Sequence, residues 1–544
     1  MDSLKALILG LSLALFALIA LAPPCMLLLN LFSFSPESST WKWLLEKGVG
    51  VLTLDSLNMA LVATVTGLVL GLPLGLALGS REKVIFSGLI FFLPLAVPPY
   101  LTATCWMGLL GRGGVLPHLA HEWLGMDARS SWLGGTIGAG VILGFSYFPV
   151  LAYMVISGIR GLDSHFEEAA MFALSEGSIL RKITIPLLFP QIATGLLLIF
   201  LLALTNYAVP SLLGLRTFTV KIYTYFSVFQ DIGGAVVLSL PLLVICFVSV
   251  LVLHRIMNGR VFFSLQMGQA RGSILRLLHT RWFKILAYGP AFLVTCTPIL
   301  FLIFETGSLF NLKIAIGQAG GSILTSFLLA FFASFLIAIF AFLLGYTLER
   351  TRWGKAGVVR SLFFFPFALP SVLLAIGIIF FWNRPGLVLA YQSVFILGIL
   401  WGAKYLPLAQ RALADQIRQI PPDIEEVAFL SRLSWTKSLY RIVWPLARPG
   451  FLVAWAVTYI FCLSELGGTL LVIPPGVDTM PVRLYNIMHY GSSSLVGGLG
   501  LALVIMTVIP MGLLFLYAKV VRTYEQLGRH RSNAAEIHRE NGEQ

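Results

Sequence analysis

Residues 324–348 read LTSFLLAFFASFLIAIFAFLLGYTL, a run without one charged side chain. Wound as an α-helix at ~1.5 Å per residue, it outreaches the ~30 Å hydrocarbon core of a bilayer. A strand of a transmembrane barrel is excluded, because such strands alternate apolar and polar residues. Runs of the same kind lie at 236–252 and 495–516. With 58% of the 544 residues hydrophobic and 11% charged, the chain has more apolar side chain than a soluble core could hide. The expected spans are 4–32, 52–79, 84–111, 132–158, 190–213, 234–254, 285–305, 323–348, 359–383, 392–413, 450–474 and 495–519, about twelve helices in an all-α integral membrane fold.

The net charge of +13 is read by its location. With the N-terminus inside, most of the 37 Lys and Arg residues fall on the cytoplasmic side, Lys404 near a helix end among them. That is the positive-inside pattern, with both termini cytoplasmic, and it implies topology rather than a nucleic-acid partner. The five cysteines, Cys25, Cys105, Cys246, Cys296 and Cys462, are odd in number and lie in apolar spans without CxxC spacing. Neither a disulfide framework nor a metal site is expected. The apolar run from Leu4 is too long for a signal peptide and reads as a retained first helix.

The chain repeats itself. Glu167-Glu168-Ala169-Ala170 leads to Ile183-Thr184-Ile185-Pro186-Leu187 and Pro190; Glu426-Val427-Ala428 leads to Ile442-Val443-Trp444-Pro445-Leu446 and Pro449. Glu167 and Glu426, Pro186 and Pro445, and Pro190 and Pro449 are each 259 residues apart. Pro94-Leu95-Ala96-Val97-Pro98 answers Pro366-Phe367-Ala368-Leu369-Pro370, Tyr147-Phe148-Pro149 answers Tyr405-Leu406-Pro407, and Val220 to Thr224 answers Val482 to Asn486. Six crossings restore orientation, so the two halves are parallel. The expected organisation is a first half over 1–258, a cytoplasmic linker over 259–284, a second half over 285–522 and a disordered tail over 523–544.

The loop after the fourth helix of each half is long, amphipathic and cytoplasmic, and reads as a short surface helix. Asp163 or Ser164 can cap the first and Asp423 the second, and carboxylates follow in each first turn, where the positive helix end favours them. Basic residues then precede a proline that starts the next crossing. An interfacial helix that merely anchors the chain is the plain alternative for either loop alone.

These loops resemble the signature of the membrane subunits of binding-protein-dependent ABC importers, a Glu-Ala-Ala segment followed by Gly and then Ile-x-Leu-Pro. The resemblance covers nearly the whole chain and implies a type I importer permease with both halves fused. It implies that the segments are coupling helices docking on two cytoplasmic ATPase subunits. Glu167, Glu168, Ala169 and Pro186 carry the match in the first half, and Glu426, Ala428 and Pro445 in the second. Ala173 and Arg432 stand where the family has Gly, and Ile185 and Trp444 where it has Leu. Within the family, Thr205 to Pro210 and Leu463 to Gly467 resemble the ferric-iron permeases, with thiamine and polyamine relatives near by. The resemblance further implies a bacterial inner membrane, an extracytoplasmic binding protein, and ATP and Mg on the partner subunits rather than on this chain.

At the spacing of the loops, Asn206 pairs with Glu465. With Tyr207 and Ser464 they are candidates for the translocation path, where a carboxylate would attract cations. A helix–helix hydrogen bond or a neutral Glu are the alternatives, and no metal ligation is expected. Pro94, Pro98, Pro366 and Pro370 should kink the third and ninth helices. His489 and Tyr490 receive no role. There is no Gly-rich phosphate loop ending in Gly-Lys-Ser/Thr and no catalytic constellation, so a non-enzymatic subunit is expected. A twelve-helix secondary transporter is the rival, with no reason to repeat the Glu…Ile-x-x-Pro loops.

Overall fold

The computed structural model describes residues 3–31, 42, 48–80, 90–125, 133–162, 165–257, 275–351, 357–510 and 512. The candidate caps Asp163 and Ser164, linker residues 259–274 and the 523–544 tail lie outside them. The described residues are mostly helical, without a strand.

In the first half α1 spans Lys5–Leu27, α2 Val49–Gly79, and α3 two arms, Ile90–Ala96 and Pro99–Trp123. Then follow α4 (Gly135–Arg160), α5 (His165–Met171), α6 (Glu176–Leu204), α7 (Ala208–Leu212), α8 (Phe218–Ser227) and α9 (Ile232–Ile256). The second half repeats this order: α10 (Arg281–Thr306), α11 (Leu309–Arg350), α12 (Leu362–Ala368 and Ser371–Trp382), α13 (Phe395–Arg418), α14 (Pro422–Leu430), α15 (Trp435–Ser464), α16 (Thr469–Val472), α17 (Met480–Tyr490) and α18 (Ser493–Pro510).

Among the described residues nine helices are long and apolar enough to cross a membrane, eleven if each bent pair is one span. The chain is a multi-pass membrane protein. Helix α13 fails that composition test, yet it holds the place in the second half that α4 holds in the first. Three of its charged groups sit at its C-terminal end, where Asp415 is fully buried between Arg411, at 3.2 Å, and Arg418, at 3.7 Å.

Lipid tails are as apolar as leucine, so helices associate through close contact rather than water exclusion. Helices α2 and α4 achieve it with glycine. Cβ atoms added at Gly71 and Gly75 would lie 2.7 Å from the Phe148 carbonyl and 2.6 Å from Val155 Cβ, and one at Gly140 would lie 2.6 Å from Val62 Cβ. Gly67, Gly71, Gly75 and Gly79 fall every fourth residue, on one helix face.

The first helix of each half packs on the other half. Helix α1 reaches α11 and α12: Phe16 stacks on Phe363 with ring centroids 4.2 Å apart, and Ser12 meets Thr347 at 3.4 Å. Helix α10 reaches α3, where Cys105 donates to the Pro298 carbonyl at 3.6 Å and Phe91 packs on Tyr288. Exchange of α1 and α10 ties the halves together.

Three expectations are corrected by the helix course. Pro186 and Pro445 do not start the fifth and eleventh crossings; α6 and α15 begin ten residues earlier, at Glu176 and Trp435. A proline inside a helix lacks an N–H and crowds the carbonyl four residues back. The helix widens just before each one, over Leu180–Thr184 and Leu439–Val443, where Ile185 and Trp444 donate to carbonyls five residues back, at Leu180 and Leu439. Asp423 does not cap α14, which begins at Pro422, so it lies in the first turn, where its charge faces the positive helix end. The crossings expected over 190–213 and 450–474 are not continuous, because each stops at Leu204 or Ser464 and restarts as a short helix.

Candidate functional site

Four helix breaks meet at the boundary between the halves. In α3 the chain bends by 104° between its arms, and in α12 by 109°. Pro98 and Pro370 set these bends, with ψ of 140° and 137°, because each precedes a residue that restarts the helix from an extended backbone. Pro94 and Pro366 lie inside the preceding arms. The other two breaks are those after α6 and α15. Broken helices expose backbone polar groups, which lipid cannot satisfy, so breaks persist only where protein or a cavity receives them.

Asn206 and Glu465 do this for α7 and α16. Asn206 Oδ1 accepts the Val209 amide at 2.9 Å, three residues ahead, while its Nδ2 donates to the Tyr147 hydroxyl at 3.2 Å. Glu465 accepts the Gly468 amide at 3.1 Å and the Thr469 amide and hydroxyl at 2.9 and 2.6 Å. The two residues paired by sequence spacing therefore do the same job, each capping the short helix that follows a break. The Glu465 carboxylate is buried and its charge faces helix-terminal amides.

Between the breaks lies a small cavity of about 100 Å³. It brings together Asn206, Tyr207, Ser464 and Glu465 from the sequence-derived path, Pro94 from the kink prolines, and Tyr100, Tyr147, Ser371, Lys404 and Tyr405 besides. Tyr207 and Gly467 touch across the boundary, with a Cβ on Gly467 falling 3.0 Å from Tyr207 Cβ. Ser211 and Tyr485 close it further at 2.8 Å. Lys404 corrects its assignment to a cytoplasmic helix end. It is buried midway along α13, where its ammonium donates to the Leu369 carbonyl at the α12 break and lies 5.7 Å from the Phe367 ring centre. Sequence reading missed it because α13 is amphipathic and a lysine there reads as a terminal charge. The matching residue of α4, Ser146, was the available signal that the halves differ here.

The loop helices form a second pair of sites. Glu167 on α5 is buried and accepts the Thr184 hydroxyl at 2.8 Å, tying the loop to the start of α6. In the second loop the sequence pairing shifts by one residue. Glu426 is exposed, and the held carboxylate is Glu425, which accepts Arg350 Nε and the Tyr346 hydroxyl, each at 2.7 Å. Just after α14, Arg432 adopts φ 57°, a left-handed conformation that favours glycine. In this register the outer faces match. Phe166, Met171 and Phe172 on the first loop are 60%, 38% and 94% exposed, and Ile424, Phe429 and Leu430 on the second are 41%, 75% and 80% exposed. Ala169 and Ala173 are exposed, whereas Ala428 is buried. Glu176 also accepts the Leu277 amide at 2.6 Å, anchoring the segment before α10 to the first loop.

Among the described residues no three His, Cys, Asp or Glu side chains stand together as a metal site.

Comparison with known proteins agrees with this architecture. Residues 63–263 match the family described as binding-protein-dependent transport system inner membrane component. A ferric transport system permease protein of Actinobacillus pleuropneumoniae is 22% identical over 75% of this chain, and the chain spans 62% of that relative's length. An Fe(3+)-transport system permease protein of Haemophilus influenzae is 25% identical over 80% of this chain and 84% of its own. A putative 2-aminoethylphosphonate transport system permease protein of Salmonella typhimurium is 26% identical over 39% of this chain and 78% of its own. In its repeated helix order, its paired loops and these similarities, the chain resembles the membrane-spanning permease subunits of binding-protein-dependent ABC importers, in the fused form of the ferric type.

Proposed function

We propose that this chain is the translocation subunit of an ATP-driven importer in a bacterial inner membrane, with both termini cytoplasmic and the half, linker and tail boundaries expected from the sequence. A separate extracytoplasmic binding protein delivers a small solute, with ferric iron the first cargo to test because of the relatives' names. ATP and Mg act on partner subunits, and the chain itself catalyses no reaction. The observation that carries this reading is the apolar cluster presented twice, by α5 and by α14, at one place in each repeat. An exposed apolar cluster next to charged residues marks a protein or membrane contact, and its recurrence at one place in each repeat favours a pair of protein partners. One ATPase subunit seats on each cluster, and its movement passes through Glu167–Thr184 and Glu425–Arg350 into α6 and α11. The four breaks around the cavity are where a tilt of the helices opens one side and closes the other. A secondary transporter shares broken helices and parallel repeats but has no use for twin apolar loop faces.

The test is affinity purification of the full chain from membranes in mild detergent, with co-purifying proteins identified by mass spectrometry. A nucleotide-binding subunit should accompany the wild type and be lost from a Phe172→Glu, Leu430→Glu double variant that retains its melting temperature. If the chain instead purifies alone and moves solute on an ion gradient, the importer reading falls.

A further inference from the structure

The cavity's one carboxylate among its described lining residues is Glu465, which at first sight makes the site a cation trap. Its bonding argues otherwise. Three donors already converge on that carboxylate, two of them amides at the start of α16, so its oxygens are occupied within the protein. The cavity's surplus is of donors. Lys404 is 5% exposed and carries three ammonium N–H groups, of which the Leu369 carbonyl takes one. Tyr100, 1% exposed, lines the same cavity with a hydroxyl that has no hydrogen-bond partner. No ion pair within 4.0 Å joins Lys404 to Glu465. An ammonium and an unpartnered hydroxyl facing one small space are a receptor for oxygen acceptors, and a buried ammonium is costly unless such a partner arrives.

We propose that Lys404 and Tyr100 form an oxyanion-binding site in the cavity, so that the cargo crosses as a solute bearing carboxylate or phosphate-like oxygens rather than as a bare cation. The proposal rests on the reading of this cavity as the translocation path. If iron is the cargo, it passes as a chelate whose ligand oxygens meet Lys404. The halves are not equivalent here: Ser146 stands in the first half where the second has Lys404, and Tyr100 comes from the first half, so the cavity holds one such site.

The full chain in detergent is titrated with inorganic phosphate and with citrate, against chloride at matched ionic strength, following both the melting temperature and calorimetric binding. Saturable binding of either oxyanion is expected, and preference between the two separates phosphate-like from carboxylate ligands. Lys404→Met should weaken it by about tenfold or more, the loss expected for a charge-assisted hydrogen bond, and Lys404→Arg should restore part of it. Because Lys404→Met also leaves the Leu369 carbonyl unpaired, Tyr100→Phe is the second arm: it breaks no bond of the fold, so it should lower oxyanion affinity while leaving the ligand-free melting temperature unchanged. Absence of saturable oxyanion binding to the wild type overturns the proposal, as does binding unchanged in both variants, or saturable binding of ferric ion alone that Glu465→Gln abolishes and Lys404→Met does not. Loss of ATPase co-purification with oxyanion binding intact would fell the importer reading and leave the site standing; the reverse pattern would fell the site alone.

Discussion

Arg350 donates from Nε to Glu425 Oε1 at 2.7 Å, and its Nη2 reaches the Ile420 carbonyl at 2.7 Å. One guanidinium thus fastens the loop helix α14 to the ends of both α11 and α13. The two side chains are 12% and 17% exposed, so solvent screens the pair only weakly. Removal of one member of such a pair strands the other. Arg350→Met should destabilise by roughly 1–3 kcal/mol and uncouple substrate-stimulated ATP hydrolysis in the reconstituted complex. A variant with normal coupling and normal melting temperature would remove this role.

The one-residue shift between the loops gives a sharper contrast. Glu167→Ala and Glu425→Ala should both depress transport, because each carboxylate holds its loop in place. Glu426→Ala, at an exposed position, should change stability by no more than about 0.5 kcal/mol. Uptake assays on the three variants check this ordering, and equal sensitivity of Glu426 and Glu425 would contradict the structural register.

Arg432 occupies a left-handed backbone position where a side chain carries a steric cost. Arg432→Gly should be neutral or stabilise by up to about 1 kcal/mol, read from the melting temperature of the purified chain. A clear loss of stability would mean that the arginine side chain makes an offsetting contact.

The caps at the breaks after α6 and α15 differ in how much they hold. Asn206→Ala removes one amide acceptor and should cost about 1 kcal/mol. Glu465→Ala strips acceptors from two amides and a buried hydroxyl, and should cost roughly 2–4 kcal/mol. Glu465→Gln retains one acceptor and should fall between. Thermal unfolding of the three variants in one detergent tests the order.

At the α2–α4 crossing, Gly75→Val places its side chain against Val155 and the Ala152 carbonyl, which a Cβ would already approach at 2.9 Å. Backbone cannot yield cheaply there, and the folded yield in membranes should fall severely, measured by size-exclusion profile. Gly317→Val, on α11 with open space around it, is the matched control.

Much of the architecture was legible because the bilayer constrains it so strongly. Apolar runs such as 324–348 have one way to satisfy their backbone in lipid, and the recurrence of Glu, Ile and Pro at one spacing exposed the two halves. The paired prolines announced the breaks in α3 and α12, since the consequence of a missing N–H is local. Asn206 and Glu465 were found as a pair by the repeat spacing, but not their task. A cap is recognised by the amide it meets, and nothing in a hydrophobic run says that the helix stops there.

What the sequence by itself determined, then, is the set of helices, their duplication and the loops between them, because hydropathy, proline and capping chemistry act over neighbouring residues. Only the tertiary structure decided that α1 and α10 change places, that Glu425 rather than Glu426 is held, and that Lys404 faces a cavity instead of the cytoplasm. Each of those depends on which side chains from distant segments come within bonding reach, and neighbouring residues such as Glu425 and Glu426 differ only in that.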